Sequence, residues 1–236
     1  MQSKSIVLVS NNYWTLFKFR HEIIKHLVTK GFEVHLIAET DGYQNHFSQD
    51  SAIVCHDINF SGRSINLFNE FKTFYSLKKL LKIIKPSYLF SYTIKPNIYT
   101  GFLCRNLNIN HIPMVTGFGY FFNVLNKPFR KIIHYIIKKA FLDTKEVWFT
   151  NVSDERYYIE NKIIHESKKT SLIMGAGVDL DKTPIIESSA NTVKTFVMIA
   201  RLLTEKGTSE FVQAAKYFFK FNKYKFILVG NHENNK

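Results

Sequence analysis

The sequence predicts an α/β protein: a mostly parallel sheet covered by helices on both faces, followed by a second α/β unit that is incomplete. Three observations carry that expectation. Short β-branched runs alternate with helical patterns along most of the 236 residues, the arrangement that builds parallel sheets buried on both sides. The texture then changes after Gly175-Ala176-Gly177, where the polar stretch 181–193, with Pro184 inside it, reads as a linker. A fresh strand–helix–strand unit follows and the sequence stops at Lys236, too little chain to bury both faces of a sheet. The expected domains are 1–177, a linker over 178–193, and a partial second domain over 194–236.

Taken in order, Ile6–Val9 is the first strand, Ser10-Asn11-Asn12 a loop, and a helical pattern runs through His21–Leu27. Gly31 stands where a helix C-terminus needs a left-handed residue, and Phe32–Ile37 reads as the next strand. Further strands are expected at Ala52–Ile58, Tyr88–Ser91, His111–Thr116, Val147–Thr150 and Thr170–Met174. Helices fill 66–84, 97–107, 128–142 and 153–162. In the second unit, Phe196–Ala200 and Phe226–Val229 flank a helix over 209–221.

Composition narrows the function classes. Apolar residues make up 45% and charged residues 22%, which excludes a disordered or collagen-like chain. Lys and Arg total 32 against 19 Asp and Glu, for a formal charge of +13, so an anionic partner is expected: nucleic acid, acidic lipid or a phosphorylated substrate. Cys55 and Cys104 are too few for a disulfide framework or a thiolate zinc site, and read as reduced, buried thiols. The apolar run Ile6–Val9 is too short for a signal-peptide core, and no stretch approaches the ~20 apolar residues of a membrane span. The chain therefore reads as cytosolic, and the Asn-x-Ser triplets at Asn59 and Asn151 as chance matches.

In open parallel sheets ligands bind beyond the carboxyl ends of the strands, beside helix N-termini. That rule singles out Ser10-Asn11-Asn12, Thr93–Asn97, Gly117–Tyr120, and the pair formed by Gly175-Ala176-Gly177 and Arg201–Gly207. The last is the most informative. An Arg201 fork and a Lys206 ammonium beside a helix that Thr208 could cap suit a diphosphate, and Gly207 permits a tight turn. Solvated surface cations would look the same. Gly175 and Gly177 would let a bulky ligand approach the backbone, or make an ordinary turn. Gly117-Phe118-Gly119-Tyr120 could meet a sugar ring or a lipid acceptor, or simply pack.

Other chemistries lose their footing. No dinucleotide fingerprint or phosphate-cradling loop follows the first strand, no hydrolase nucleophile elbow is present, and the nine histidines are scattered without metal-ligand spacing. Two segments hold much of the positive charge. Over 127–140, Phe129, Ile132, Ile133, Ile136, Ile137 and Ala140 form a helical apolar stripe opposite Lys127, Lys131, His134 and Lys138. The segment 66–85 divides similarly, with Lys72, Lys78, Lys79, Lys82 and Lys85. Such helices are either a core face with a solvated back, or docking elements for anionic lipid.

Five segments carry a family resemblance: Asn11-Asn12-Tyr13-Trp14 with Phe19-Arg20; Ile94–Tyr99; Val115–Tyr120; Gly175–Asp179; and Ile199–Gly207. Together they resemble bacterial glycosyltransferases of family 4, also called group 1 glycosyltransferases. The resemblance implies two Rossmann-like domains of GT-B type, an acceptor-side domain first and a nucleotide-sugar domain second. It implies transfer of a sugar from a nucleotide-diphosphate donor, a UDP-sugar by the habit of this branch, to a polyprenyl-linked or oligosaccharide acceptor at the inner membrane face, in capsule, O-antigen or related glycan assembly. Configuration would be retained, with no metal and no cofactor. Arg201 and Lys206 would hold the departing diphosphate, and Gly175, Gly177 and Gly207 the donor-side turns. Asn11, Asn12, Lys95, Asn97, Gly117, Gly119 and Tyr120 would lie in acceptor-side loops; no residue is assigned as the catalytic base. The family's Glu-x7-Glu segment has no counterpart after Gly230, so the chain is expected to be a truncated copy or one half of a two-chain enzyme, with little activity alone. Two rivals stand beside this: a non-catalytic partner subunit, and a basic nucleic-acid-binding domain, the latter disfavoured because the aromatics fall in apolar patterns.

Overall fold

The computed structural model describes residues 4–60, 67–117, 126–183, 185, 193–221 and 223–231, excepting the side chains of Leu67 and Glu205. It divides into two compact units, Met1–Asp179 and Leu180–Lys236.

The first unit is wound around a seven-stranded sheet. Its elements are β1 (Ser5–Asn12), α1 (Tyr13–Thr29), β2 (Glu33–Glu39), β3 (Ile53–Asp57), α2 (Leu67–Ile84), β4 (Tyr88–Tyr92), α3 (Ile94–Leu107), β5 (Asn110–Val115), α4 (Lys127–Ala140), β6 (Val147–Phe149), α5 (Val152–Glu160) and β7 (Thr170–Leu172). Every pairing is parallel, in the order β3-β2-β1-β4-β5-β6-β7. The winding reverses between β1 and β4, so the switch point of this Rossmann-like sheet lies at their carboxyl ends.

The alternation within β1 explains the layering. Ile6 and Leu8 pack with Leu16 and Ile24 of α1, whereas Val7 and Val9 pack with Leu77 and Leu81 of α2 and Leu103 of α3. Both faces are therefore covered, and the strand reads as a continuous apolar run because neither face meets water. Around β5 and β6, Val115, Val147 and Phe149 meet Ile137 and Ala140 of α4 and Tyr158 of α5. Gly101 of α3 lies so close to α4 that a Cβ there would strike the Ala140 carbonyl. After α1, Gly31 takes φ +80° and Phe32 N–H donates to the Leu27 carbonyl at 3.2 Å, closing the helix as expected.

Three local expectations need correction. Ser10-Asn11-Asn12 is the irregular end of β1, not a loop; its register with β2 shifts between Val9 and Asn12. The stripe on α4 is only half used: Ile137 and Ala140 are buried, but Phe129 is 60% and Ile132 55% exposed, because one neighbouring helix and one sheet cannot cover so wide a face. His134, expected on the solvated side, is half-buried against the Tyr157 hydroxyl at 3.2 Å. The thiols are free, Cys104 buried and Cys55 half-buried.

The second unit pairs β8 (Lys194–Ile199) with β9 (Tyr224–Val229) in parallel and carries α6 (Thr208–Phe218). Phe211 and Phe218 of α6 cover Phe226, which stacks on Phe196. The opposite strand face is open: Val197 is 54%, Ile199 80% and Val229 47% exposed.

Candidate functional site

The carboxyl edge of the large sheet brings several of the expected residues together. Asn12 ends β1 in an extended conformation, and its Oδ1 accepts from Thr15 N–H at 3.0 Å, capping α1. Asp41, just past β2, accepts from the Trp14 N–H at 2.7 Å and so supports the same helix start. Asn11 Oδ1 accepts from the Thr93 hydroxyl at 2.9 Å, joining the ends of β1 and β4 across the switch point. Thr93 holds φ +73° and ψ 163°, a region that costs a β-branched residue on the order of 1–3 kcal/mol and clusters at functional sites.

Beside that bridge, a hollow is lined by Thr93, Asn97, Val115, Gly117, Ile137 and Tyr158. Gly117 turns the backbone with φ +111° at the end of β5. Hydroxyl and backbone groups stand at the rim over an apolar floor, and the hollow is shallow, with an accessible volume of about 10 Å³, the space of a single water. Gly119 and Tyr120 lie outside the described residues. Lys95, in the first turn of α3, is paired with Glu70 at 2.8 Å, so its charge is partly spent within the protein.

Beneath the hollow lies a buried polar cluster that the sequence reading missed. The Ser91 hydroxyl donates to Asn97 Oδ1 at 2.7 Å, and Asn97 Nδ2 donates to the Met114 carbonyl at 3.0 Å. Thr100 donates to the Pro96 carbonyl at 2.7 Å. His111 Nε2 lies 2.8 Å from Ser91 Oγ and 2.9 Å from Thr100 Oγ1. Both hydroxyl protons are engaged elsewhere, so Nε2 is assigned the proton and Nδ1 is a buried acceptor with no partner among the described residues. Burial pushes the His111 pKa down to about 3, and the ring stays neutral. Asn97 thus serves the framework as well as the hollow: it pins the start of α3 to the end of β5. Periodicity cannot reveal such a cluster, because its members come from three successive elements, β4, α3 and β5, whose polar positions meet only when the unit folds.

Arg20, quoted in the resemblance but given no role, is buried. Its guanidinium lies 4.6 Å from the Tyr92 ring and donates to the Phe19 carbonyl at 2.9 Å. Burial pushes Tyr92 up to about 12, with the Arg20 charge opposing.

In the second unit, the loop after β8 runs through Arg201 into a turn of 3₁₀ helix at Thr204–Lys206. Gly207, at φ +78°, is the residue that caps α6; Thr208, expected as the cap, is the first helical residue and its hydroxyl donates to the Leu203 carbonyl at 3.1 Å. Arg201 and Lys206 are both exposed in this loop. Gly230 was not anticipated: a Cβ there would strike the Ala200 carbonyl, and Leu202 N–H donates to the Asn231 carbonyl at 3.3 Å. The two carboxyl-end loops of this unit are therefore laced together. Gly175 and Gly177 have φ +83° and +76°, with open space where a Cβ would sit. Among the described residues no group of His, Cys, Asp and Glu could hold a metal ion, and no helix is long and apolar enough to cross a membrane.

Fold and site define a Rossmann-like α/β protein with a polar bridge at the switch point of the large sheet and a shallow hollow beside it, at the ends of β4 and β5. Residues 5–151 match the model of the family described as Glycosyl transferase 4-like, and the chain belongs to that family. It is 26% identical over 247 aligned positions to the N,N'-diacetylbacillosaminyl-diphospho-undecaprenol alpha-1,3-N-acetylgalactosaminyltransferase of Campylobacter jejuni, covering 94% of this chain and 62% of that protein. Among solved structures, a glycosyltransferase from Rickettsia africae superposes with a TM-score of 0.68 at 16% identity, over 100% of this chain and 62% of that one. Sucrose-phosphate synthase from Thermosynechococcus elongatus superposes with 0.65 at 13% identity, over 99% and 64%. These likenesses bear out the expected fold class, GT-B type with Rossmann-like sheets. The chain spans less than two thirds of the length of each of these proteins.

Proposed function

We propose that the protein takes part in transferring a sugar from a nucleotide-diphosphate donor, a UDP-sugar, to a polyprenyl-diphosphate-linked acceptor at the inner face of the cytoplasmic membrane. The observation that carries the reading is that the family match over residues 5–151 takes in the strained bridge at the switch point and most of the hollow beside it, where an acceptor would bind. The Campylobacter relative, named for a diphospho-undecaprenol acceptor, supports the acceptor class.

Transfer breaks the bond from the sugar's anomeric carbon to the diphosphate oxygen and forms one to an acceptor hydroxyl oxygen, whose proton is lost. Charge accumulates on the departing nucleoside diphosphate. Arg201 can grip its oxygens with a fork of donors while Lys206 adds a point charge, and such interactions strengthen as the bond breaks. Retention of configuration and independence of metal belong to the same reading. Asn11, Asn12, Asn97 and the Gly117 turn would shape the acceptor side.

Calorimetric titration with UDP and UDP-sugars tests the donor half. Arg201→Ala and Lys206→Ala should each weaken UDP binding about tenfold or more, as loss of a charge-assisted hydrogen bond does. Transfer of labelled sugar to a polyprenyl-diphosphate acceptor tests the whole. A chain that binds no nucleotide, or binds it unchanged in both variants, ends the donor assignment. The open strand face at Val197, Ile199 and Val229 favours a second reading, in which the chain works beside a partner polypeptide; co-purification of that partner, lost on Ile199→Lys, would support it.

A further inference from the structure

We propose that the groove between the carboxyl end of β3 and the polar flank of α2 binds a saccharide, and that it holds sugar residues of the acceptor away from the reacting hydroxyl. The inference rests on the transfer reading above and gives the acceptor a second point of attachment. It can fail on its own, because saccharide binding in this groove needs no nucleotide and no transfer.

The hollow at the ends of β4 and β5 has room for a single water, so a sugar ring must find its seat elsewhere. The groove beside β3 offers about 280 Å³, lined by Asp57, Asn59, Asn69, Lys72, Thr73 and Ser76 over Ile58. Asn69, Lys72, Thr73 and Ser76 come from one flank of α2, where spacings of three and four make them neighbours. Asn69, Lys72 and Ser76 are exposed. Thr73 is buried, and its hydroxyl donates to the Asn59 carbonyl at 2.7 Å, which ties the segment after β3 to the helix and joins the two walls. Aromatic rings stand at the rim: Phe68, four residues before Lys72, and Tyr75, three after it, are 77% and 70% exposed.

That composition matches a carbohydrate. Each sugar hydroxyl both donates and accepts, and the lining mixes amides, hydroxyls, an ammonium and a carboxylate. The charges of Asp57 and Lys72 balance, so the groove lacks the excess of cations that grips a diphosphate. A lipid tail or an apolar peptide would need a broad apolar floor, and Ile58 alone supplies none. The C–H faces of a pyranose can instead pack on rings such as Phe68 and Tyr75 at the rim. Placement links the groove to the bridge. α2 and α3 cover the same face of the sheet, and β3 lies two strands from β1. The groove is therefore on the order of 10 Å along the carboxyl edge from the Asn11–Thr93 bond. A glycan laid along that edge would bring its terminal sugar to the bridge while earlier residues stay in the groove.

Saturation-transfer NMR and calorimetry with maltotriose, cellotriose and chitotriose test the idea. At least one trisaccharide should bind, with UDP neither required nor competing. Ser76→Trp fills the groove and should abolish binding. Asn69→Ala and Lys72→Ala should each weaken it about two- to tenfold, the worth of one hydrogen bond. Lys82→Ala, elsewhere on α2, should leave it unchanged, and circular dichroism reports the fold of every variant. Should Ser76→Trp unfold, Tyr75→Trp decides: it sets an indole at the rim without filling the groove, and the emission of that indole should change as the trisaccharide is added. Absence of trisaccharide binding, binding that survives Ser76→Trp, an equal loss in Lys82→Ala, or an unmoved Tyr75→Trp emission overturns the proposal. So does displacement of the trisaccharide from the groove by inorganic pyrophosphate, which would make it an anion site. Absence of UDP binding beside intact trisaccharide binding would strike the donor reading and leave the saccharide site standing.

Discussion

β1 and β8 are chemically alike and physically opposite. Each is a β-branched-rich strand in a parallel sheet, yet Val7, Leu8 and Val9 are wholly buried whereas Val197 and Ile199 are 54% and 80% exposed. The difference lies in the neighbours. β1 has β2 and β4 on its flanks and helices above and below, whereas β8 pairs, among the described residues, only with β9 and is covered from one side by α6. Strand propensity is local, but burial belongs to layers, so identical side chains hold the first unit together and contribute little in the second.

The sharpest attempt to break that contrast is truncation of each strand. Leu8→Ala should cost the first unit about 2–5 kcal/mol. Val197→Thr or Ile199→Thr should change the stability of the second by less than about 0.5 kcal/mol. Denaturant unfolding with a probe in each unit measures both, and equal losses would show that the open face of β8 is covered in solution.

Acid should act next most strongly on the first unit. His111 is held neutral, with a pKa of about 3 in the fold against an ordinary 6.5. The unfolded chain therefore binds more protons between those values. Stability is full above pH 6.5 and falls as pH drops through this window. Burial lowers His35 and His56 as well, which works in the same sense. Glu146 adds to the loss further down: burial would raise its carboxyl, but hydrogen bonds from Ser171, Lys169 and Trp148 outweigh it and hold the pKa below the usual range. His111→Gln should flatten the slope of urea midpoints between pH 6.5 and 3; an unchanged slope would exclude His111 as its source.

Crowded glycines sharpen the comparison from the other side, since each unit has one. Gly101→Ala and Gly230→Ala both force a Cβ onto a carbonyl, of Ala140 and Ala200 respectively, and each should cost about 1–3 kcal/mol. On the proposed donor role of Arg201, Gly230→Ala should in addition weaken UDP binding by loosening the loop that carries it. The smallest effect is expected at the switch point. Thr93→Gly relieves strain of about 1–3 kcal/mol but loses a hydrogen bond worth about 0.5–1.5 kcal/mol and adds about 0.5–1 kcal/mol of backbone entropy cost, so thermal unfolding should hardly move. A clear loss would mean that Thr93 is needed for the fold itself.

Most of the framework could be read from the sequence because short apolar runs and 3.6-residue periods report local geometry directly. The strand Tyr88–Tyr92 and the helix Leu67–Ile84 fall within a residue of expectation. Where polar side chains are recruited, that signal fails. Asn11 and Asn12 look like loop residues, yet they extend β1 because one bonds Thr93 and the other caps α1. α3 begins at Ile94, ahead of the expected 97, because Pro96 fits the first helical turn, where its missing N–H has no intrahelical partner to lose. The hollow was legible as a set of strand ends, and its polar underlay was not: Ser91, Asn97, Thr100 and His111 meet only in three dimensions. The α4 stripe misled for the opposite reason, since an apolar pattern states what can be buried and not whether anything is there to bury it.

The missing side chain at Gly101 gives α3 a double duty. Its backbone bears directly on Ala140 of α4, and its first turn, Ile94–Asn97, is the wall of the hollow. At that one crossing backbone meets side chain and carbonyl directly, while Ile94, Ile98 and Phe102 of α3 pack into the cluster that holds Ile137 and Ala140. One helix is thus both the seat of α4 and the side of the crevice, so a substitution that reseats α4 on Gly101 also reshapes the hollow's wall.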